Sequence, residues 1–333
     1  MDYFTNTQKL LLRALSSNSR ATVMELCKSA KCSRVTVAKQ LKRLGQKLDI
    51  KYTIEVDETK LGASERHLII VKLTERPSIK TLRAFFAKEK YAQQVYITEG
   101  DYDLLIYARA SDPVSYIRWE TYLASELSDY GATIWPSEFV VTHFGYFPLQ
   151  DDFIEDIKEG GLNEKDKRIL KILNRSSRTS YTDIAKATGM DKGTIRYRIF
   201  NLKKTGIIKR FTIAVQKPPK SYIISYLVNY NFNKTTLSRS ALARHSYMTA
   251  DDTLPMLNTF QILAPTSGSY RFFALALFEN EKEAEERALL EHSRIFSKEN
   301  VQIVHARVTK IVKGEFPFRN LDIKDNYVVI KWE

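Results

Sequence analysis

The chain has 333 residues, of which 44% are hydrophobic and 27% charged, with a net charge of +13. This length and balance point to an ordinary globular protein of two to four domains. No apolar run approaches the ~18 residues needed to cross a bilayer, the N-terminal MDYFTNTQKLLLRALSSNS lacks the apolar core of a signal peptide, and two cysteines cannot staple so long a chain; a cytoplasmic protein with no membrane partner is expected.

In chain order, residues 13–44 (RALSSNSRATVMELCKSAKCSRVTVAKQLKRL) read as short helices joined by a tight turn. Tyr52–Val56 follow as a strand. Residues 66–73 alternate as a strand, and 77–90 form a helix opened by a first-turn proline. QQVYITEG and DYDLLIYARA are two strands joined at Gly100-Asp101. Residues 112–128 form a helix, and 132–147 give a last strand in which Pro136 suggests a bend or an edge. The order βαββαβ is ferredoxin-like. QDDFIEDIKEGG then reads as a polar, acidic connector.

Residues 171–202 (KILNRSSRTSYTDIAKATGMDKGTIRYRIFNL) align without a gap to 13–44 at an offset of 158. Gly189 stands where a helix must end in a left-handed turn, and Asp191 offers an N-cap. Ile195, Ile199 and Leu202 recur on one face of the next helix. The repeat places Cys27 opposite Ala185 and Cys32 opposite Met190, so both cysteines read as packing residues. A second βαββαβ pattern follows: strands at 222–231, 260–265, 270–278 and 301–313, with helices near 235–248 and over 281–297. NYVVIKW near the end has no counterpart. The expected fold is therefore α+β. Two winged-type helix-turn-helix segments, 1–56 and 162–216, alternate with two ferredoxin-like sheet domains, 57–149 and 217–333, across a linker at 150–161.

Charge follows this plan. The net charge is +7 for residues 1–56, −7 for 57–161, +10 for 162–216 and +3 for 217–333. A basic excess concentrated in the helix-turn-helix segments points to double-stranded DNA as partner. Ser33, Arg34, Thr36 and Lys39 in the first copy, and Lys192, Thr194, Arg196 and Arg198 in the second, are expected to face a major groove. Arg20 and Arg178, ahead of each first helix, are expected to contact phosphates. The five histidines are scattered, and no nucleophile elbow, phosphate loop or carboxylate pair stands out. No catalytic residue, cofactor or metal is expected.

The chain resembles the Lrp/AsnC (feast/famine) regulators. The resemblance is most specific at NEKDKRILKIL and GMDKGTIRYRIFNLKKTGIIKRFTIAV, and it extends to VDETKLG (56–62) and EGDYDLLIY (99–107). It covers nearly the whole chain in two copies, as a fused pair. It implies a transcriptional regulator on the nucleoid whose sheet domains dimerise and bind an effector such as an amino acid. In the first copy Gly100, Asp101, Tyr102 and Asp103 keep the effector-turn pattern: backbone amides suit a carboxylate and aspartate an ammonium group. The second copy has SGSYRFF (267–273) there, and the first helix-turn-helix lacks the turn glycine, with Lys31 in its place. The implied assembly is a face-to-face pairing of sheets, as an intramolecular pseudo-dimer, a homodimer or a higher oligomer. Two other readings stay open: an architectural DNA binder without effector, and a sirohaem-decarboxylase-like enzyme built from paired Lrp-like units.

Overall fold

A computed structural model describes residues 4–63, 65–139, 146–157, 162–216, 222–230, 260–278, 281–282, 284 and 301–318. The expected helices near 235–248 and over most of 281–297, and the run NYVVIKW, lie outside the described residues.

Three helices open the chain: α1 (Asn6–Ser17), α2 (Val23–Ala30) and α3 (Arg34–Leu48). Each begins on a side-chain cap. Thr5 with Gln8 and Thr22 with Glu25 form capping boxes, and Ser33 accepts from the Thr36 amide. Leu11, Leu15, Leu26, Val37 and Leu44 close a core between them. The second trio, α7 (Glu164–Arg175), α8 (Tyr181–Thr188) and α9 (Lys192–Lys204), is capped by Asn163, Ser180 and Asp191. Its core holds Ile169, Leu173, Ile184, Ile195, Ile199 and Leu202. Gly189 takes the left-handed turn at φ 69°, and Lys31 takes it in the first trio at φ 49°.

Each trio runs into a wing strand, β1 (Ile50–Val56) or β6 (Ile208–Val215). The two wings pair with each other antiparallel, Thr53 opposite Thr212 and Ile54 opposite Phe211. A short strand near the end of the described chain, β11 (Phe316–Phe318), adds to β6.

The remaining strands form one closed barrel. The first half supplies β2 (Glu65–Lys72), β3 (Ala92–Gly100), β4 (Leu104–Ala110) and β5 (Thr133–Phe139), in the order β3-β4-β2-β5. The second supplies β7 (Tyr222–Tyr230), β8 (Phe260–Gly268), β9 (Phe272–Phe278) and β10 (Val301–Lys313), in the order β8-β9-β7-β10. Both orders are ferredoxin-like. β3 pairs with β10 and β5 with β8, so each half's edge strands are paired by the other half. The sheets therefore join edge to edge as well as facing one another, which a simple face-to-face packing does not anticipate. β5 is an interior strand: Pro136 lies opposite Ile69, and the neighbouring Ser137–Phe139 pair with β8.

Strand alternation divides the burial. Leu68, Ile70, Tyr96, Leu105, Tyr107, Phe273 and Leu275 share one core, while Ile69, Val71, Val95, Leu104 and Ile106 pack with α4 (Ile79–Phe86) and α5 (Pro113–Leu127) through Phe86, Trp119 and Leu123.

The described part of the connector, residues 150–157, is folded against the helices. It forms α6 (Asp151–Asp156), with Ile154 fully buried and Asp151 accepting from Asn174 Nδ2 at 3.1 Å. Three apolar residues, Phe153, Ile154 and Ile157, supply the burial that its acidic composition hides.

Candidate nucleic-acid interface

The exposed faces of α3 and α9 follow from their buried ones. Val37, Leu44 and Leu48 fix α3, and Ile195, Ile199 and Leu202 fix α9, leaving Arg34, Lys39, Lys42, Arg43, Lys192, Arg196, Lys203 and Lys204 exposed. Ser33 and Thr36 share a hydrogen bond at 3.0 Å, and Thr194 donates to Asp191, so these four polar groups build the first turn of each helix. The Thr194 hydroxyl and amide hold the Asp191 carboxyl below its ordinary pKa. Arg34 Nη2 rests 3.0 Å from Met24 Sδ, and Arg196 lies 6.0 Å from the Tyr181 ring centroid.

Apolar side chains interrupt this basic face. Val35 is 79% exposed on α3, and Tyr197 and Phe200 are 65% and 60% exposed on α9. Phe200 is absent from the expected contact set, although its spacing of four from Arg196 and three from Tyr197 marks the same helix face. Arg198 is turned away from the expected groove face. Its Nη1 donates to Asp166 Oδ1 at 3.0 Å and to Asn163 Oδ1 at 3.3 Å, at the start of α7.

Arg20 and Arg178 stand at a seam between the two trios, where an open phosphate site was expected. Ser19 and Ser177, 158 positions apart, share a hydrogen bond at 2.7 Å. Arg20 donates from Nε to Ser177 O and from Nη2 to Thr179 O at 2.6 Å, while Arg178 Nε donates to Ser19 O at 2.6 Å. The Arg20 guanidinium lies against the Tyr181 and Phe211 rings, and Arg178 lies 4.1 Å from the Tyr52 centroid. Burial lowers the Arg20 pKa from its ordinary value, opposed by Tyr181. The reciprocal bonds tie each helix trio to the other.

The expected effector turn is occupied by the chain itself. Gly100 takes φ 138°, and a Cβ there would meet His305 O at 2.8 Å. The Asp101 amide donates to His305 O, and its carboxylate accepts from the His305 amide at 2.8 Å. Tyr102, expected at the effector turn, is buried in the barrel with its hydroxyl on Ser225. Asp103 is buried too, accepting from the Leu73 amide at 2.9 Å and from Arg76 Nε at 2.7 Å, with Lys72 Nζ 3.4 Å away. Burial pushes the Asp103 pKa up, but these donors outweigh it and the net direction is down. Its carboxylate therefore stabilises the fold above about pH 4, and that contribution is lost as pH falls through the lowered folded value. Asp103→Asn should cost stability at neutral pH and flatten the acid limb of a urea-unfolding profile. A parallel shift at all pH values would remove Asp103 from the linkage.

A cleft of about 260 Å³ lies between the barrel and α6, lined by Lys90, Tyr91, Arg109, Ser111, Asp112 and Phe153 among others. Among the described residues no helix is long and apolar enough to cross a membrane, and no His/Cys/Asp/Glu cluster has the makings of a metal site.

Residues 162–209 match the family of winged helix-turn-helix DNA-binding domains. An uncharacterized HTH-type transcriptional regulator of Pyrococcus furiosus is 27% identical over 125 residues, 38% of this chain and 78% of that relative. The HTH-type transcriptional regulator LysM of Saccharolobus solfataricus is 50% identical over 55 residues, 16% of this chain and 39% of the relative. LrpA of Pyrococcus horikoshii is 38% identical over 61 residues, 18% of this chain and 43% of the relative. The chain thus spans about two fifths of the length of the latter two. The crystal structure of the siroheme decarboxylase NirDL superposes with a TM-score of 0.56 at 13% identity, covering 95% of this chain and 94% of that one, a likeness of fold. The helix-turn-helix match and these relatives make the chain similar to transcriptional regulators of the Lrp/AsnC type.

Proposed function

We propose that the chain is a sequence-specific, DNA-binding transcriptional regulator whose two reading heads, 1–56 and 162–216, recognise unlike half-sites. The observation that carries this reading is the pair of exposed, basic helices α3 and α9, carried by two trios that are tied together at the Ser19–Ser177 seam. α3 presents Arg34, Val35 and Lys39 where α9 presents Lys192, Gly193 and Tyr197. An arginine suits a guanine edge, and an apolar or aromatic group suits a thymine methyl. Identical heads read palindromes, whereas these heads favour an asymmetric site. In vitro selection on random duplexes tests this, and a short palindrome as best site would overturn it. Arg34→Ala and Arg196→Ala should each relax one half-site, at about 1–3 kcal/mol for a base contact. Binding without sequence preference would instead indicate an architectural protein.

An effector at Gly100–Asp103 must take Asp103 from Arg76 and Lys72, or Asp101 from His305. Calorimetric titration with amino acids measures whether one does.

A second reading, a tetrapyrrole decarboxylase, is favoured by the chain-long likeness to NirDL. The cleft beside Arg109, at about 260 Å³, falls below the ~300–1,000 Å³ typical of drug-sized ligands, and a tetrapyrrole is larger still. Sirohaem titration separates the readings: a shifted Soret band would support the enzyme, an unchanged band the regulator.

A further inference from the structure

We infer that Cys27 and Cys32 form a thiol–disulfide switch in the first reading head. They are the two cysteines of the chain. The turn that ends α2 brings them together. Lys31 takes a left-handed conformation at φ 49°, and the Cys32 amide donates back to Cys27 O at 3.2 Å. This five-residue return is the bond of a Schellman turn, in which the side chains of its first and last residues meet. Both cysteines are half-buried and pack against the first core. A disulfide needs Cα atoms within about 7 Å and Cβ atoms about 3.8 Å apart; a closed turn of this kind holds the two residues side by side, and the bond requires only that their Cβ atoms draw together, without unfolding a helix.

The second head holds the same backbone bond, Met190 amide to Ala185 O at 3.2 Å, around a turn glycine. There the two positions carry no thiol. Two heads of one backbone design therefore differ in redox chemistry, and only the first can respond.

The oxidant class is a peroxide. One thiolate attacks a peroxide oxygen, the O–O bond breaks, hydroxide leaves and a sulfenic acid remains. The second thiolate attacks that sulfur and expels hydroxide, forming the S–S bond. Two electrons pass from the sulfurs to the peroxide, and the two thiol protons end in water. Drawing the two Cβ atoms together moves residue 32 towards α2. Ser33, the N-cap of α3, and Arg34 follow directly in the chain. The switch therefore acts on the first turn of the groove-facing helix.

The functional half of this inference rests on the DNA-binding reading above, whereas bond formation does not. The full chain would be treated with hydrogen peroxide, quenched with N-ethylmaleimide and analysed by intact mass and peptide mapping. The expected result is a loss of two hydrogens, no alkylation, a 27–32 cross-link, and reversal by dithiothreitol. DNA binding would be followed by anisotropy on the duplex selected with reduced protein, and on versions with one half-site scrambled. Oxidation should weaken binding to the half-site read by α3 and leave the other unchanged. The double variant Cys27→Ala/Cys32→Met carries the second head's own residues at these positions and should be insensitive to peroxide. Two alkylated thiols after oxidation, a covalent dimer, or an oxidised chain that binds like the reduced one would each overturn the inference. Reduced protein that binds no duplex would overturn the DNA-binding reading instead, with the mass measurement still deciding the bond.

Discussion

Raising salt from about 50 to 200 mM should cut duplex affinity by roughly 10³-fold or more, because that is the response of a protein that neutralises six to ten phosphates. The helix-turn-helix segments carry +7 and +10 in a chain whose net charge is +13. Eight of the exposed cations on α3 and α9 are Arg34, Lys39, Lys42, Arg43, Lys192, Arg196, Lys203 and Lys204, while a further one, Lys47, lies over the Phe4 ring. Arg20 and Arg178 are held at the seam and Arg198 on Asp166, so these three are not counted toward the slope. Engagement of six of the eight gives a log–log slope of about −5, at ~0.9 per phosphate. Anisotropy at stepped salt measures it. Lys42→Ala and Lys203→Ala should each reduce the slope by about 1 and weaken all sequences alike. A flat response would show that the basic faces do not meet the duplex.

Glu58→Gln should destabilise the chain by about 3–5 kcal/mol, the cost of leaving a buried charge without its partner. Arg109 is fully buried on β4 and donates from Nη2 to Glu58 Oε1 and, at 3.1 Å, to Phe147 O. Its Nε donates to the Tyr107 hydroxyl at 3.2 Å, and that hydroxyl donates to Glu58 Oε2. The guanidinium carbon lies 4.9 Å from the Tyr107 ring centroid and 5.3 Å from that of Phe153. Glu58 follows the first wing, Arg109 belongs to the barrel and Phe153 to α6, so one ion pair joins three parts of the fold. Glutamine keeps the shape and removes the charge. Replacing both partners together, Glu58→Leu with Arg109→Met, should cost far less than the two single changes summed, since an apolar pair leaves nothing unpaired. Urea unfolding of the four proteins gives the cycle. A loss under about 1 kcal/mol for Glu58→Gln would show that Arg109 is solvated in the folded chain.

What the sequence by itself determined was local. Each helix-turn-helix is legible because apolar residues repeat at helical spacing, as at Ile195, Ile199 and Leu202, and because Asp191 stands where an open amide needs an acceptor. The strands of both halves are legible from residues that fit a pleated surface, and the α+β class follows from their order. The exposure of Arg34, Lys39, Lys192 and Arg196 follows from the buried face opposite them.

Only the tertiary structure decided how these pieces meet. The pairing of β3 with β10 and β5 with β8 joins segments about 210 and about 130 residues apart, and such edges leave no periodic mark on either strand. Arg20 and Arg178 have the chemistry of phosphate contacts and Arg198 that of a groove contact, yet their donors go to Ser177, Ser19 and Asp166, because a guanidinium serves a carbonyl or carboxylate as readily as a phosphate or a base. The acidic connector conceals a buried Ile154, and the Gly100–Asp103 turn spends its polar groups on His305, Leu73 and Arg76. In each case the residue type names the bond it is able to make, and the partner is set by which distant segment the closed barrel and the paired wings bring alongside it.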